Sequence, residues 1–374
     1  MADRAIRILE VCGYPPPHNG WNVRVVQLKR HLEAEGCECV VLNTGESRRI
    51  PSRNYDTVES GWVFLRKVWR YCRRGFLVHA HANGEAPKGI LLAMIAELLG
   101  RFVGVGSVLT FHAGTEQVFF PRQKAPAWAP VFKLLFALPR SIVCNSDAVK
   151  QKILEYGVPP SKVVPIPAFS RQYVDVATVP LADTTERHFE KYPRTLFCYL
   201  ALRPVYYPEV LLKAFAALAA SDPGIGFILC GLHSHPEGPV ADAFESTVKE
   251  LGLADRLCCV GDLNHDEFIT AMRRSQMYVR THVSDGVSSS VLEALTLGVP
   301  VVASENRTRP NGVVTYEATD AAALVRAIRG VLDARAAGGT RAAAAVEIPD
   351  TVRQEVELLT DVVVERIPRR QAAA

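Results

Sequence analysis

Long hydrophobic runs are absent from this sequence of 374 residues. No apolar stretch reaches the roughly 18 residues that a membrane-spanning helix needs, which excludes a transmembrane helix of the usual kind. The first residues, Met1–Leu9, enter a strand pattern directly and contain no signal-peptide hydrophobic region. Net charge is also small, at +4, so bulk charge gives no indication of nucleic-acid binding. From these absences we expect a cytoplasmic protein that does not bind nucleic acid.

Cysteine residues lack the spacing of a metal site. The nine cysteines are scattered, mostly inside apolar strand-like runs, and their odd number argues for reduced thiols that serve as small core residues. Cys37 and Cys39 are too close together and too isolated to indicate zinc. We therefore expect neither a disulfide framework nor a bound metal ion.

Strand and helix patterns alternate along the whole chain. Its hydrophobic content of 48% and charged content of 22% are normal for a globular protein. Its length suits two domains better than one. Alternation of this kind predicts an α/β fold, with doubly wound parallel sheets covered by helices on both faces.

Four segments follow from this alternation. The first strand and helix series spans residues 1–170, and the second spans residues 193–348. Residues 171–192 are polar and irregular, which predicts a linker region. Residues 349–374 predict a last helix followed by a frayed tail.

The stretch from Asp285 to Ser304 contains the most informative pattern. Asp285 lies in a turn rich in Gly and Ser, and Glu293 follows inside an apolar helical run that ends at a Gly-Val-Pro turn and a short strand. The N-terminus of such a helix favours an anionic ligand. Two carboxylates beside an anion site suit a ligand with both phosphates and hydroxyls, such as a nucleotide-sugar. The alternative is an ordinary acidic residue at a helix N-terminus and one buried, hydrogen-bonded Glu.

This stretch resembles the carboxylate–seven residues–carboxylate signature of the retaining glycosyltransferases of family 4 (glycosyl transferases group 1), which have the GT-B fold. Further segments similar to the family occur in the same order along nearly the whole chain, at Ser146–Lys152, Gly157–Ile166 and Leu251–Leu263. The resemblance implies two Rossmann-like domains that face each other across a cleft. The first would bind the acceptor and the second the nucleotide-sugar donor, and the last helix would cross back towards the first domain.

The resemblance also implies roles for residues of this stretch. Glu293 would bind the ribose hydroxyls of the donor, and Asp285 would face the transferred sugar. The intervening residues Gly286, Val287 and Ser288 would contribute to donor binding. The family usually has Glu at the first position, so Asp285 is a shorter variant.

In the first half, a loop from Gly13 to Gly20 lies between a predicted strand and a predicted helix, where backbone N–H groups can approach an anion. Family members have two consecutive glycines here, beside the donor diphosphate and the acceptor, and only Gly20 corresponds to them in this chain. The alternative is a Pro-rich turn that serves the fold alone.

Histidines follow two predicted strands of the same half. His112 follows the strand from Ser107 to Phe111, and a residue at the carboxyl end of a strand faces the ligand crevice in open α/β sheets. The resemblance implies that His112 contacts the donor sugar or its phosphate. For His79 and His81, at another strand end, we expect a structural or rim role.

The largest departure from the family concerns the diphosphate. Family members carry an Arg and a Lys, five residues apart, where this chain has Ala201 and Tyr206. Because a preorganised cation usually supplies the largest catalytic contribution, we infer that Arg203 substitutes for this pair, with Arg280 as a second candidate. The alternative is that Arg203 only caps a surface turn and that the protein is weakly active or inactive.

Two loop positions complete the predicted donor site. Gly231 and Leu263 each follow a predicted strand of the second half. Family members bind the nucleobase with such loops, largely through backbone groups, so these two residues would bind the donor without revealing its base.

Basic and aromatic side chains are mixed in the stretch from Trp62 to Arg74. The favoured interpretation is a helix with its apolar stripe in the core and a solvated basic face. The alternative is a surface that binds an anionic membrane, which would place the protein at the inner face of the membrane with a lipid-linked acceptor.

Together these observations predict a retaining glycosyltransferase of the hexosyltransferase type. It would move a sugar from a nucleoside-diphosphate-sugar to a hydroxyl of a polysaccharide, a glycolipid or a small-molecule glycoside, without a metal or other cofactor. Two alternatives remain open. One is a non-catalytic glycosyltransferase-like protein that binds a nucleotide-sugar, and the other is a GT-B nucleotide-sugar epimerase.

Overall fold

The structure is a computed structural model that describes residues 6–16, 20–115, 117–232, 239–283, 288–337 and 348–365. The chain divides into two compact units. The first comprises residues 1–172 and 349–374, and the second comprises residues 173–348. Within the described residues, no helix combines the length and apolar character that crossing a bilayer requires.

The first unit is built on a six-stranded sheet in which all pairs are parallel. Its strands are β1 (Arg7–Cys12), β2 (Glu38–Asn43), β3 (Leu77–Ala82), β4 (Ser107–Phe111), β5 (Ser141–Cys144) and β6 (Val163–Pro165), in the order β2-β1-β3-β4-β5-β6. Its helices are α1 (Gly20–Ala34), α2 (Gly61–Arg73), α3 (Pro87–Val103), α4 (Ala129–Ala137), α5 (Asp147–Leu154) and, from the end of the chain, α12 (Thr351–Val364). Helix α12 packs against α1.

The second unit has its own six-stranded parallel sheet. Its strands are β7 (Arg194–Tyr199), β8 (Ile225–Cys230), β9 (Leu257–Cys259), β10 (Met277–Arg280), β11 (Val301–Ser304) and β12 (Val313–Tyr316), in the order β12-β11-β10-β7-β8-β9. Its helices are α6 (Asp183–Lys191), α7 (Pro208–Ser221), α8 (Pro239–Glu250), α9 (His265–Arg274), α10 (Ser289–Thr296) and α11 (Ala321–Ala336). Helix α6 lies within the segment 171–192 and packs on β8 and β9.

Local sequence explains where these elements begin and what they bury. Helix α2 starts after Ser60, whose hydroxyl accepts a hydrogen bond from the Val63 N–H, and it buries Phe64, Val68 and Cys72, which recur every fourth residue on one face. The central strands are largely buried on both faces because helices cover both sides of each sheet. The predicted α/β fold with two Rossmann-like sheets is therefore confirmed.

Strand order determines where each sheet can bind a ligand. In the first sheet the strand order reverses between β1 and β3, because β2 lies on one side of β1 and the later strands lie on the other. In the second sheet the strand order reverses between β7 and β10. The crevice outside the carboxyl ends of the strands at such a switch point is the usual ligand site of open α/β sheets. The loops that follow β1 and β3 in the first unit, and β7 and β10 in the second, are therefore the positions at which functional side chains are expected.

Candidate functional site

In the second unit, Glu293 lies on α10, the helix that follows the loop after β10. Its side chain is buried, and its Oε1 atom lies 3.1 Å from Nε2 of His265. His265 is the first residue of α9, whose start is fixed because Asn264 and Glu267 cap it reciprocally. Sequence reasoning missed His265. The available signal was its place as the first helical residue after the loop containing Leu263.

Ser288 occupies the N-cap position of the same helix, without a side-chain capping hydrogen bond. Its hydroxyl oxygen lies 3.0 Å from that of Ser290, which accepts a hydrogen bond of 2.7 Å from the Tyr278 hydroxyl. Tyr278 lies on β10, so this chain of hydroxyls joins the first turn of α10 to the central strand. Asp285, Gly286 and Val287 lie outside the described residues.

Two arginines lie at or beyond the carboxyl ends of the strands at the switch point of this unit. Arg203 is exposed and immediately precedes a short 3₁₀ helix, Pro204–Tyr206, after β7. Arg280 ends β10 and is buried, and its guanidinium carbon lies 5.4 Å from the ring centroids of both Tyr199 and Tyr206. Each ring is within cation–π range. Tyr206, which the sequence resemblance aligns with the family's Lys, therefore contacts a buried cation.

Gly231 and Leu263 follow neighbouring strands of the same sheet. Gly231 has a φ of +85°, and a Cβ atom at this position would come within 2.7 Å of the Tyr199 ring, so both the backbone conformation and the packing require glycine. Leu263 is half-buried and packs against the apolar cluster between the sheet and α9 and α10. Five residues that the sequence predicted as site residues thus follow the carboxyl ends of strands in this sheet, as does His265: Glu293, Ser288, Gly231, Leu263 and Arg203.

In the first unit, the residue that follows Gly20 contacts His112. Gly20 is exposed and is the first residue of α1. The next residue, Trp21, lies over the His112 ring, with 4.8 Å between ring centroids and 18° between ring planes. His112 itself is buried. The first turn of α1 therefore covers the histidine at the carboxyl end of β4.

A buried hydrogen-bonded network lies next to His112. Its members are Glu10 on β1, Arg24 on α1, His79 and His81 on β3, Thr110 on β4, and Thr351 and Glu355 on α12. Nε2 of His112 lies 2.9 Å from Nδ1 of His81, and Nε2 of His81 lies 2.8 Å from Oε2 of Glu10. Sequence reasoning expected a structural or rim role for His79 and His81, and His79 is fully buried.

Charges alternate in this network and shift its pKa values. Burial favours the neutral form of Glu10, but the charge of His79, together with hydrogen bonds from His79 and His81, outweighs burial and lowers the pKa of Glu10 to about 2. Burial favours neutral His79, but Glu10 and Glu355 outweigh it and raise the pKa of His79 to about 9. The Arg24 guanidinium likewise overcomes burial and holds the pKa of Glu355 well below its usual range.

The two remaining histidines shift in the opposite direction. Burial, reinforced by the charge of His79, lowers the pKa of His81 below 6.5. Burial also lowers the pKa of His112 well below its usual value. His81 and His112 are therefore neutral imidazoles at neutral pH, next to a charged one.

One ligand atom from each of Glu10, His79 and His81 lies within 4.8 Å of the others, a distance compatible with a bound metal ion. Each of these atoms also takes part in the hydrogen bonds of the network, at 2.8–2.9 Å between partners. The positive charges of His79 and Arg24 balance the two carboxylates. The donor set is thus satisfied electrostatically by the protein's own groups.

Comparison with known proteins gives consistent matches over both units. A family model described as glycosyl transferases group 1 matches residues 183–344, and one described as glycosyltransferase family 4 matches residues 18–169. A curated relative, the lipopolysaccharide core biosynthesis mannosyltransferase LpsB of Rhizobium meliloti (strain 1021), is 23% identical over 287 residues, which cover 77% of this chain and 74% of the relative.

Solved structures share the fold at low sequence identity. A glycosyltransferase from Rickettsia africae ESF-5 superposes with a TM-score of 0.63 at 14% identity, over 97% of this chain and 94% of that one. Anabaena HepE in complex with UDP-glucose has a TM-score of 0.62 at 13% identity, with 97% and 99% coverage. A putative UDP-N-acetylglucosamine 2-epimerase from Listeria monocytogenes has a TM-score of 0.63 at 16% identity, with 94% and 95% coverage.

Proposed function

The chain belongs to the family 4, group 1 glycosyltransferases of the GT-B fold and depends on a nucleotide-sugar, and from this premise we propose that it is a retaining hexosyltransferase acting on a membrane-associated saccharide. The relative LpsB is named as a mannosyltransferase of lipopolysaccharide core biosynthesis, which supports a hexose as the transferred group and a lipid-linked saccharide as the acceptor. The second unit would bind the donor.

The pair formed by Glu293 and His265 is the observation that carries the proposal. A carboxylate can accept two hydrogen bonds side by side, which suits the two neighbouring hydroxyls of a ribose. His265 fixes the orientation of that carboxylate from one side. The N-terminus of α10 and the buried cation Arg280 lie at the same sheet edge, where both would favour the diphosphate.

The proposed chemistry needs no side-chain nucleophile and no metal. The bond between the anomeric carbon and the leaving phosphate oxygen breaks as a bond to the acceptor oxygen forms on the same face. The departing phosphate oxygen takes the acceptor proton. Charge then accumulates on the nucleoside diphosphate, and Arg203, Arg280 and the N–H groups of α10 are the groups proposed to stabilise it.

We propose that an exposed surface of the first unit binds the membrane that carries the acceptor. This surface, here called the basic aromatic face, consists of Trp62, Arg66, Trp69, Arg70 and Arg73 of α2, with Leu91, Leu98 and Phe102 of α3. Helices α2 and α3 pack together, and the rings of Trp69 and Phe102 lie 6.0 Å apart. Trp62 is 74% exposed and Phe102 is 80% exposed. Helix α2 contains no acidic residue, so its charge complements an anionic bilayer such as the cytoplasmic leaflet.

Vesicle sedimentation tests this surface. We expect the protein to bind vesicles of phosphatidylcholine and phosphatidylglycerol, and to bind pure phosphatidylcholine much less. Reversal of Arg66, Arg70 and Arg73 to Glu should weaken binding at least about a hundredfold, since each basic residue near an anionic surface contributes about 1 kcal/mol. Reversal of Arg326 and Arg329, exposed on α11, is the control. Equal binding of both variants would contradict the membrane assignment.

Nucleotide-sugar binding and turnover test the donor site. The first experiment measures the unfolding temperature of the protein with a panel of nucleotide-sugars that begins with UDP-glucose and GDP-mannose. A ligand at a hundredfold its Kd stabilises the fold by about 2.7 kcal/mol, which should raise the unfolding temperature. Glu293→Ala should abolish the shift, whereas Glu317→Ala, on an exposed loop of the same unit, should keep it. A shift that survives Glu293→Ala would contradict the ribose assignment.

Nuclear magnetic resonance with an acceptor present reports the anomeric configuration of the first product and so decides between retention and inversion. Without an acceptor, the same spectra separate the proposal from epimerase activity. An epimerase would convert the sugar of the donor while it remains attached to the nucleotide. A glycosyltransferase would leave that sugar unchanged or release it slowly by hydrolysis.

A further inference from the structure

Hydrogen-bond geometry shows where the protons lie in the network behind His112. The Thr110 hydroxyl has one proton to donate, and its oxygen lies 2.5 Å from Oε1 of Glu355. Because that carboxylate, paired with Arg24, can only accept, Thr110 donates to Glu355 and must accept from Nε2 of His79 at 2.8 Å. On its other side, Nδ1 of His79 lies 2.9 Å from Oε1 of Glu10. Both ring nitrogens of His79 therefore carry protons, and His79 is an imidazolium.

The ring proton of His81 lies on Nε2. The second carboxylate oxygen of Glu10 also can only accept, so Nε2 of His81, at 2.8 Å, carries a proton. The ring of His81 lies 4.3 Å from the charged ring of His79, which opposes a second proton on His81. Nδ1 of His81 is then a bare nitrogen that accepts a hydrogen bond.

His112 takes the next place in the chain. Its Nε2 atom lies 2.9 Å from the bare Nδ1 of His81, so Nε2 of His112 carries the proton. The two rings are tilted by only 20° with centroids 5.1 Å apart, a geometry in which the hydrogen bond lies in the plane of both rings. Nδ1 of His112 is left with its lone pair, and no described residue provides it with a hydrogen-bond partner.

We propose that Glu10 and His81 are positioning residues that hold His112 as the tautomer protonated on Nε2, so that Nδ1 accepts a hydrogen bond from a hydroxyl of the sugar substrate. His79 serves this arrangement because its charge keeps Glu10 a carboxylate and His81 neutral. Trp21 holds the ring from one face. The substrate assignment rests on the proposed function, whereas the proton positions do not.

Nitrogen resonance spectroscopy of protein with ¹⁵N-labelled histidine rings tests the proton positions without any ligand. The chain has ten histidines, and a His112→Gln variant identifies the signals of His112. At neutral pH we expect His112 and His81 each to show a protonated Nε2 and a bare Nδ1, with scalar coupling across the hydrogen bond between them. His79 should show two protonated nitrogens. A proton on Nδ1 of His112, or a charged His112, would overturn the proposal.

Two variants separate positioning from a merely structural role. His81→Phe removes the acceptor for His112, so the Nδ1-protonated form should appear and kcat/KM should fall about five- to tenfold, the loss of one neutral hydrogen bond. Ser107→Ala is the control, because Ser107 is buried on the same strand as Thr110 and its hydroxyl has no hydrogen-bond partner among the described residues. It should leave the tautomer of His112 unchanged and kcat/KM within about twofold. A single unchanged His112 tautomer in His81→Phe would refute the relay.

If neither UDP-glucose nor GDP-mannose supports turnover, the spectra still decide whether Glu10 and His81 set the proton on His112. If turnover occurs but kcat/KM is the same in His81→Phe as in the unaltered protein, the substrate contact of His112 is refuted while the proposed transferase activity stands.

Discussion

Nε2 of His265 lies 3.1 Å from Oε1 of Glu293, although the two residues are 28 positions apart in the chain. His265 begins α9 and Glu293 lies within α10, and both helices start at the carboxyl edge of the second sheet. A carboxylate that only accepts hydrogen bonds requires the proton of His265 to be on Nε2. The histidine thus fixes the plane of the carboxylate that we assign to the ribose.

His265→Ala should weaken donor binding while the fold remains stable. The carboxylate of Glu293 would keep its charge but lose one oriented partner, so we expect Kd for the donor to rise about five- to tenfold, measured by calorimetry. His31→Ala is the matched control, because His31 forms a partly exposed pair with Glu35 at 3.3 Å in the first unit. Equal affinities in all three proteins would show that Glu293 needs no partner.

Arg203→Ala should separate turnover from binding. If Arg203 stabilises charge only as the phosphate leaves, kcat should fall about 10²–10³-fold, while donor Kd changes little. Lys213→Ala removes an exposed cation on α7 whose partner is Glu209, and it serves as the control. Unchanged turnover in Arg203→Ala would leave Arg280, which lies 5.4 Å from each of two tyrosine ring centroids, as the cation that acts on the leaving group.

The sheets could be predicted from sequence because their strands are short, apolar and separated by helical patterns. The bounds of β4, Ser107–Phe111, follow directly from an apolar run that Gly106 precedes and a polar His112 follows. Strand β12 was not predicted. The strand Val313–Tyr316 is only four residues long. Because this strand lies at the edge of the sheet, Tyr316 is its only buried residue, and its sequence has no clear apolar pattern.

The polar network was harder to predict, because its members meet only in the folded chain. A local signal did exist. Glu10 interrupts an apolar strand, and His79 and His81 alternate on the next strand of the sheet. A carboxylate inside a buried strand requires partners. Nothing local identifies Glu355, which comes from a helix near the end of the chain and lies 3.4 Å from His79.

Glu97→Met should stabilise the protein. Glu97 on α3 is fully buried, and neither carboxylate oxygen has a hydrogen-bond partner among the described residues. Burial raises its pKa well above 4.5, although the charge of Lys162 opposes this. A raised carboxyl pKa means that stability falls as pH rises above 4.5. Removal of the polar group should therefore add about 1–3 kcal/mol to the free energy of unfolding at neutral pH, measured with urea.

For the Glu97 prediction, Glu97→Gln is the comparison, since it removes the ionisation but keeps a buried polar group. It should abolish the pH dependence due to this site while adding less stability than Met. If the methionine variant is less stable than the unaltered protein at pH 8, then Glu97 has a stabilising role that its contacts do not explain.

The first unit should lose stability at both acidic and alkaline pH. The pKa of Glu10 is lowered from 4.5 to about 2, so its contribution of about 3 kcal/mol is complete above pH 4.5 and is lost as pH falls towards 2. The pKa of His79 is raised from 6.5 to about 9, so its contribution is complete below pH 6.5 and is lost as pH rises through 9. Amide hydrogen exchange in β1 and β3 measures both limbs. His79→Gln should remove the loss of stability at alkaline pH. A stability that stays constant from pH 6 to 10 in the unaltered protein would contradict the imidazolium assignment.

Gly231→Ala should disturb both the fold and the diphosphate site of the second unit. The backbone at Gly231 is left-handed, with a φ of +85°, and the new methyl group would lie 2.7 Å from the ring of Tyr199, which in turn packs against Arg280. The strained backbone alone costs about 1 kcal/mol or more. Gly252→Ala separates the two effects, because Gly252 has a φ of +64° and a methyl group there would meet no described atom within 4 Å. Both variants should lower the midpoint of unfolding, but only Gly231→Ala should also weaken donor binding, because it displaces the ring that holds Arg280. Equal donor affinity in the two variants would show that the position of Tyr199 does not matter for the donor.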